Sequence, residues 1–265
     1  MRTRSKFIQS IQGNRLGFTL VETVIAMGII TIMITAFLAA FGPAVQGIRK
    51  SISVKEANRL ASTLESELSL LRYDEHADNG GDYTTSFQKA FEWIEDSVST
   101  SKENFVLIYQ YRGDPNDVRD DGTLNPYAGS GKVPGEDFVL QSVARRLGDP
   151  ETSEELQPGV VEGRVFYVRM KQLIFDNDGA LVLTDETNVG KIIDPTLDQD
   201  GNRSSVTNHI DYPEAVIAFQ AEFYAFRSSV YAYIDGAFTP EDSNGDGHPD
   251  ATGRPVFTRN LGVRR

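Results

Sequence analysis

The chain has 265 residues, 40% hydrophobic and 24% charged, which allows one substantial core and excludes a chain that is disordered throughout. Its formal charge is −12, and since Arg2, Arg4, Lys6 and Arg15 precede residue 18, the remainder carries −16. A body this acidic repels phosphate, which argues against nucleic acid as a partner, and the absence of cysteine excludes disulfides, thiolate metal sites and thiol nucleophiles.

Residues 18–41, FTLVETVIAMGIITIMITAFLAAF, form an apolar run interrupted by one charge, Glu22. A bilayer core takes about 20 helical residues at about 1.5 Å each, so the run reads as a membrane span. A secretory signal has a shorter apolar stretch ending in a small-residue cleavage site, and this run continues past that length. The four cations before it hold that end in the cytoplasm and send the body outward. A carboxylate in hydrocarbon costs about 2.5–3.5 kcal/mol on insertion scales, so Glu22 requires a partner or a route back to the headgroups. One turn inside the helix, it also gains from the N-terminal dipole.

The order of basic leader, Gly17, Phe18, Glu22 and apolar run in RLGFTLVETVIAMGII resembles the N-terminus of type IV pilins and type II secretion pseudopilins. The likeness is confined to residues 1–55. It implies cleavage between Gly17 and Phe18 by a prepilin peptidase of the bacterial inner membrane, followed by methylation of the new amine on Phe18. It implies that Glu22 meets the amino terminus of a neighbouring subunit, with other pilin or pseudopilin subunits as partners through the N-terminal helix. Anchored in the inner membrane as a single pass, the chain then holds its head in the periplasm or, after assembly, outside the cell.

Gly42 and Pro43 follow the apolar run, and a proline inside a helix removes a hydrogen bond, so a kink or local melting is expected there. Ala57, Leu60, Ala61, Leu64, Leu68 and Leu71 recur at three- and four-residue spacing among charged residues, the pattern of an amphipathic continuation. The helix is expected to reach about Arg72, roughly 80 Å if continuous. The predicted organisation is a leader over 1–17, a transmembrane and stem helix over 18–72 and a globular head over 73–265.

In the head, DNGGD at 78–82 reads as a loop, and Phe87, Ala90, Phe91 and Ile94 set a short helix in which Trp93 serves packing. NFVLIYQY reads as a strand, and Gly113 to Glu136 as a long surface loop. DFVLQSVARRL, GRVFYVRMKQLIF, ALVLT and AVIAFQAEFYAF read as further strands, with SSVYAYI as another. A stem helix followed by strands makes the fold α+β, with an antiparallel sheet laid on the amphipathic half of the stem. The resemblance implies the same pilin-like arrangement.

His76, His209 and His248 are far apart in sequence and sit in no catalytic motif, so no enzyme is expected. GSGK at 129–132 departs from a phosphate loop at Pro126 and Val133 and reads as a linker, and Glu154 with Glu155 reads as solvated charge. Asp242, Asn244, Asp246 and Asp250 are spaced as positions one, three, five and nine of a calcium loop. Gly247 stands at six, and His248 supplies the carbonyl of position seven. Gly253 stands where a bidentate Glu belongs, so Ca2+ is expected to bind weakly; the alternative is an ordinary acidic turn. Asp176–Gly179 reads as a hairpin turn, and Asp198–Gly201 has too few ligands for a site. The functional expectation is a structural subunit of a type IV pilus or pseudopilus, of the minor class because the head exceeds that of a typical major pilin. The alternative is a membrane-tethered extracytoplasmic binding or adhesion protein that uses the same anchor.

Overall fold

The computed structural model describes residues 19–99, 101–176, 178–184, 190–197, 201–239, 248–249 and 252–265. The chain divides into two compact units between Arg49 and Lys50. The division falls inside α1 (Leu20–Ser69), whose helical assignment continues through Gly42 and Pro43, where the sequence suggested a break. In the first unit the described residues are helical from Leu20 onward, and every side chain from Leu20 to Ala39 faces outward.

In the second unit the last turns of α1 bury Ala57, Leu60, Ala61, Leu64 and Leu68, the stripe that their spacing predicts. Helix α2 (Ser86–Asp96) starts at Thr85, whose hydroxyl accepts the Gln88 amide at 3.1 Å, and buries Phe87, Ala90, Phe91, Trp93 and Ile94. Both helices pack on one face of an antiparallel sheet. Its main run is β1 (Val106–Val118), β4 (Val161–Phe175), β8 (Val216–Ala225) and β9 (Phe257–Arg264), each beside the next. β2 (Leu124–Pro126) and β3 (Val139–Arg146) pair with β1, and β5 (Leu181–Leu183) pairs with β4. β6 (Ile192–Ile193) and β7 (Ser205–Val206) form a separate two-stranded ladder.

Side chains alternate across this sheet, and both faces are covered. Val106, Ile108, Phe166, Val168, Met170, Ile217, Phe219, Ala221 and Phe223 join the core with α1 and α2. Leu107, Tyr109, Tyr111, Val165, Tyr167 and Tyr224 point the other way into a second core. α3 (Pro150–Glu155) lies toward that side, and α4 (Tyr231–Ala237) contributes Ile234 to it, with Leu156 and Phe238 just beyond the two helices. This explains why VLIY and VFYV are continuously hydrophobic, a pattern more usual in strands buried on both sides. Each large aliphatic side chain taken fully out of water contributes roughly 1.5–3 kcal/mol, and the two layers together replace the missing disulfides.

Two expectations are corrected, and one strand is added. SSVYAYI leads into α4 rather than a strand, because Tyr231, Ile234 and Phe238 recur at helical spacing and turn into the second core, where Phe238 packs on Phe105, Tyr167 and Phe226. The Gly113–Glu136 stretch contains the end of β1 and all of β2, so it is a ribbon more than a loop. The C-terminal run VFTRNLGVR, with its glycine and two arginines, forms the strand β9 that the sequence reading did not assign. The DNDG turn stands as expected between β4 and β5, with the Asp176 carboxylate accepting the Asp178 and Ala180 amides at 3.0 and 2.8 Å and Gly179 at φ +78°.

Candidate functional site

Glu22 lies in the first turn of α1, where it forms a reciprocal cap with Thr19. The Thr19 hydroxyl accepts the Glu22 amide at 3.2 Å, and a Glu22 carboxylate oxygen lies 3.5 Å from the Thr19 amide. This is a capping box, T-x-x-E, and it places a negative group against the unpaired amides of the helix start. Gly17 and Phe18 lie outside the described residues. Beyond Glu22 the hydroxyls of Thr23, Thr31 and Thr35 each donate to a carbonyl one turn back at 2.8 Å, so the helix presents satisfied polar groups within an apolar surface. Leu20–Ala39 is long and apolar enough to cross a membrane, and Val21, Ile25, Met27, Ile32 and Phe37 are each more than half exposed. A helix apolar on all sides requires lipid or other helices around it.

At the end of α1 a buried ionic cluster ties the stem residues of the second unit to α2. Lys89 of α2 is fully buried and donates to Glu67 at 2.7 Å, to Glu75 at 2.7 Å and to the Leu70 carbonyl at 3.3 Å. Arg72 grips Glu67 through both carboxylate oxygens, at 3.0 and 2.5 Å, and donates to the Asp121 carbonyl at 2.9 Å. Burial alone opposes ionisation of Glu67, but the Arg72 hydrogen bonds and the Lys89 charge outweigh it and hold its carboxyl below the usual range.

Asp121 then links this cluster to another on the opposite side of β1. Arg145 donates to Asp121 at 3.1 Å and to both oxygens of Glu155 at 3.0 and 3.1 Å, while the Tyr109 hydroxyl donates to Glu155 at 2.7 Å. Arg119 also pairs with Glu155, and the two bring α3 against β1 and β3. Glu155 is therefore buried and fully engaged, which corrects its reading as solvated charge, while Glu154 remains mostly exposed. Burial, with the Glu155 charge beside it, raises the Tyr109 hydroxyl well above its ordinary value. Between the clusters lies an open cavity of about 270 Å³ lined by Arg72, Tyr83, Trp93, Arg145, Arg146 and Asp149 among others. Trp93 is a packing residue, its ring nitrogen donating to Tyr83 at 3.2 Å.

Of the calcium-type loop, Asp242, Asn244, Asp246 and Asp250 lie outside the described residues. His248 is described, and its Nδ1 lies 3.0 Å from the Tyr224 hydroxyl, which donates at 2.7 Å to Glu222. Lys171 completes that chain at 3.0 Å from Glu222. His76 caps a short turn, accepting the Asp78 amide at 3.2 Å, and the His209 carbonyl accepts from Arg265 at 2.6 Å. Among the described residues no three His, Cys, Asp or Glu side chains are grouped to hold a metal ion.

The sequence signalled the Gly17 to Glu22 motif but not the buried charges. Lys89 occupies a polar position in the pattern of α2, and only the fold places two carboxylates beside it. Comparison of the chain with curated proteins and with solved structures finds no match. Residues 13–38 match the prokaryotic N-terminal methylation motif, a stretch that contains Gly17, Phe18, the Thr19–Glu22 cap and most of the exposed apolar helix. The chain therefore carries the prepilin-type signal of type IV pilins and pseudopilins.

Proposed function

We propose that the chain is a non-enzymatic structural subunit, of the minor class, in a type IV pilus or a type II secretion pseudopilus. The observation that carries this reading is the helix from Leu20 to Ala39, apolar on every side, with its one carboxylate capped at the start and all but its last residue inside the methylation motif. Prepilin peptidase cuts before Phe18, the chain resides in the inner membrane with its N-terminus in the cytoplasm, and the head lies outside. Lipid surrounds the helix before assembly and the helices of other subunits surround it afterwards, so the same surface serves both states. Glu22 then exchanges its cap for the amine of a neighbour's Phe18.

The size of the head favours the minor class, in which a few copies carry a large domain. The spacing of Asp242, Asn244, Asp246 and Asp250 around the His248 carbonyl supports weak calcium binding in the extracytoplasmic medium. The test of the reading is the presence of the processed chain in fibres sheared from the surface of cells that express it, crosslinked to other pilins. Processed chain confined to the membrane, with no such crosslink, favours a tethered binding protein instead.

A further inference from the structure

The open cavity of about 270 Å³ is built by four segments: the chain that follows α1, Trp93 of α2, the end of β3 and the start of α3. Its inner wall is cationic. Arg145, whose side chain is 7% exposed, directs Nε and Nη2 to Glu155, Asp121 and Thr123. Its Nη1 has only Glu151, at 3.8 Å, beyond hydrogen-bond reach. Arg146 lies over the Trp93 ring at 5.5 Å, with Nη2 3.3 Å from Asp96. Its Nε and Nη2 are buried and find no hydrogen-bond acceptor among the described residues. Buried donors in folded proteins are nearly always satisfied, so these two guanidinium groups call for an acceptor from outside the chain.

The rim is anionic. Glu75 is taken by Lys89 and Asp149 by the Arg146 amide, which leaves Asp74, Asp82 and Glu151. Asp74 and Asp82 are exposed and form no ion pair among the described residues, and Glu151 has only the loose contact with Arg145. The lining holds five carboxyl groups to three arginines, so a simple anion meets net repulsion there. A simple cation leaves the guanidinium donors without acceptors. A ligand that carries both charges satisfies both walls.

We propose that this cavity binds a zwitterion of the α-amino-acid class, its carboxylate on Arg145 and Arg146 and its ammonium on Glu151, within the field of Asp74 and Asp82. The 3.8 Å separation of Arg145 Nη1 and the Glu151 carboxylate sets a cation and an anion side by side. An amino acid presents the complementary pair, a carboxylate and an ammonium on one carbon. A cavity of this size, at the lower end of ligand pockets, suits so small a molecule. The inference goes beyond the subunit reading: it gives the head a ligand, and it holds whether or not the chain enters a fibre.

Trp93 is the chain's only tryptophan and lines the cavity, so its emission reports occupancy. The test is titration of L-alanine into the detergent-solubilised full-length chain, followed by calorimetry and by Trp93 fluorescence. Binding is expected with a dissociation constant of about 1 mM or tighter and a matching change in emission. Propionate, which lacks the ammonium, and ethylammonium, which lacks the carboxylate, should each bind at least about tenfold more weakly. The Glu151 side chain makes no hydrogen bond among the described residues, so Glu151→Gln should fold, weaken alanine by a similar factor and leave propionate no weaker than before. Absence of heat and of any emission change at about 10 mM alanine overturns the proposal. Propionate or ethylammonium binding as well as alanine overturns it in favour of a simple anion or cation site. Heat without a change in Trp93 emission places the ligand elsewhere, and undiminished binding to Glu151→Gln removes the ammonium partner; either result overturns it.

Discussion

The ammonium of Lys89 lies 2.7 Å from Glu67 with no exposed surface, so a charge on α2 is neutralised by the last turns of α1 inside the protein. Removing one partner of such a pair leaves an uncompensated buried charge and costs about 3–5 kcal/mol. Lys89→Met is expected to fall at the lower end, about 3 kcal/mol, because Arg72 still holds Glu67. Adding Glu75→Gln removes a second stranded carboxylate and should recover part of the loss. Denaturant midpoints of the detergent-solubilised chain provide the measurement. A loss under about 1 kcal/mol would show that the cluster contributes little more than an exposed ion pair.

Processing gives a sharper expectation. Gly17→Val should leave a precursor heavier by the leader, inserted in the membrane but unassembled. Mass spectrometry of the wild-type protein should find Phe18 as the first residue with a methylated amine, and any other start refutes the assignment.

The Thr19–Glu22 cap separates two roles of the carboxylate. Thr19→Ala removes the hydroxyl that accepts the Glu22 amide and should weaken the helix start by about 1 kcal/mol, yet leave fibres forming. Glu22→Ala should insert normally and be depleted from fibres. Equal fibre yields from the two variants would reduce Glu22 to a cap residue alone.

Asp149 precedes α3 and accepts the Arg146 amide at 2.7 Å, and burial pushes its carboxyl up to about 6. The protonated form is therefore favoured in the folded state. Between about pH 4 and 6 the native protein binds more protons than the unfolded chain, so this group's contribution is present at pH 4 and lost as pH rises to 6. Its size is of the order of 1–3 kcal/mol. Glu67 and Asp121 act oppositely and at lower pH: their carboxyls are held below the ordinary range, so their contribution is lost on acidification below about pH 4. Asp149→Asn should flatten the slope between pH 4 and 6 and leave the acid limb unchanged. An identical slope in both proteins over that window overturns the assignment.

How far the sequence disclosed these features follows from the range of the interactions involved. Ala57, Leu60, Ala61, Leu64 and Leu68 could be placed on one face because helical spacing is a local property, and DNDG could be read as a turn because Asp176 bonds to its own neighbours. Glu155 could not be read correctly, since its partners Arg119, Arg145 and Tyr109 come from three other segments brought together by pairing of β1 with β3. SSVYAYI has the β-branched and aromatic composition of a strand. Its helix is held by Ile234 in the second core and by Phe238 at its end, which packs on Phe105, Tyr167 and Phe226, residues that no local pattern connects to it. β9 escaped notice because its exposed positions hold Thr258, Asn260, Gly262 and Arg264, leaving the buried Leu261 and Val263 as its main apolar signal.

The last expectation concerns the C-terminal loop. Asp242, Asn244, Asp246, Asp250 and the His248 carbonyl would offer up to five oxygen ligands, with water or an acceptor from another loop to complete the six to eight that calcium takes. Without the bidentate Glu the dissociation constant should lie at about 10⁻⁴ to 10⁻³ M, a range that matters where calcium is millimolar. At tenfold excess over that constant, binding to the folded state alone adds about 1.4 kcal/mol. Magnesium should do less, because it requires a tighter octahedron and gives up water reluctantly. The His248 ring lies 3.0 Å from the Tyr224 hydroxyl, so residue 248, whose carbonyl is the expected ligand, is tied to β8. Melting of the detergent-solubilised chain should therefore shift upward with calcium and little with magnesium, and the shift should vanish in Asp246→Ala. Tyr224→Phe keeps every oxygen ligand but removes the tie, so calcium affinity by titration should persist while the thermal shift shrinks. Equal melting of wild type with calcium, magnesium or chelator would leave the loop an ordinary acidic turn.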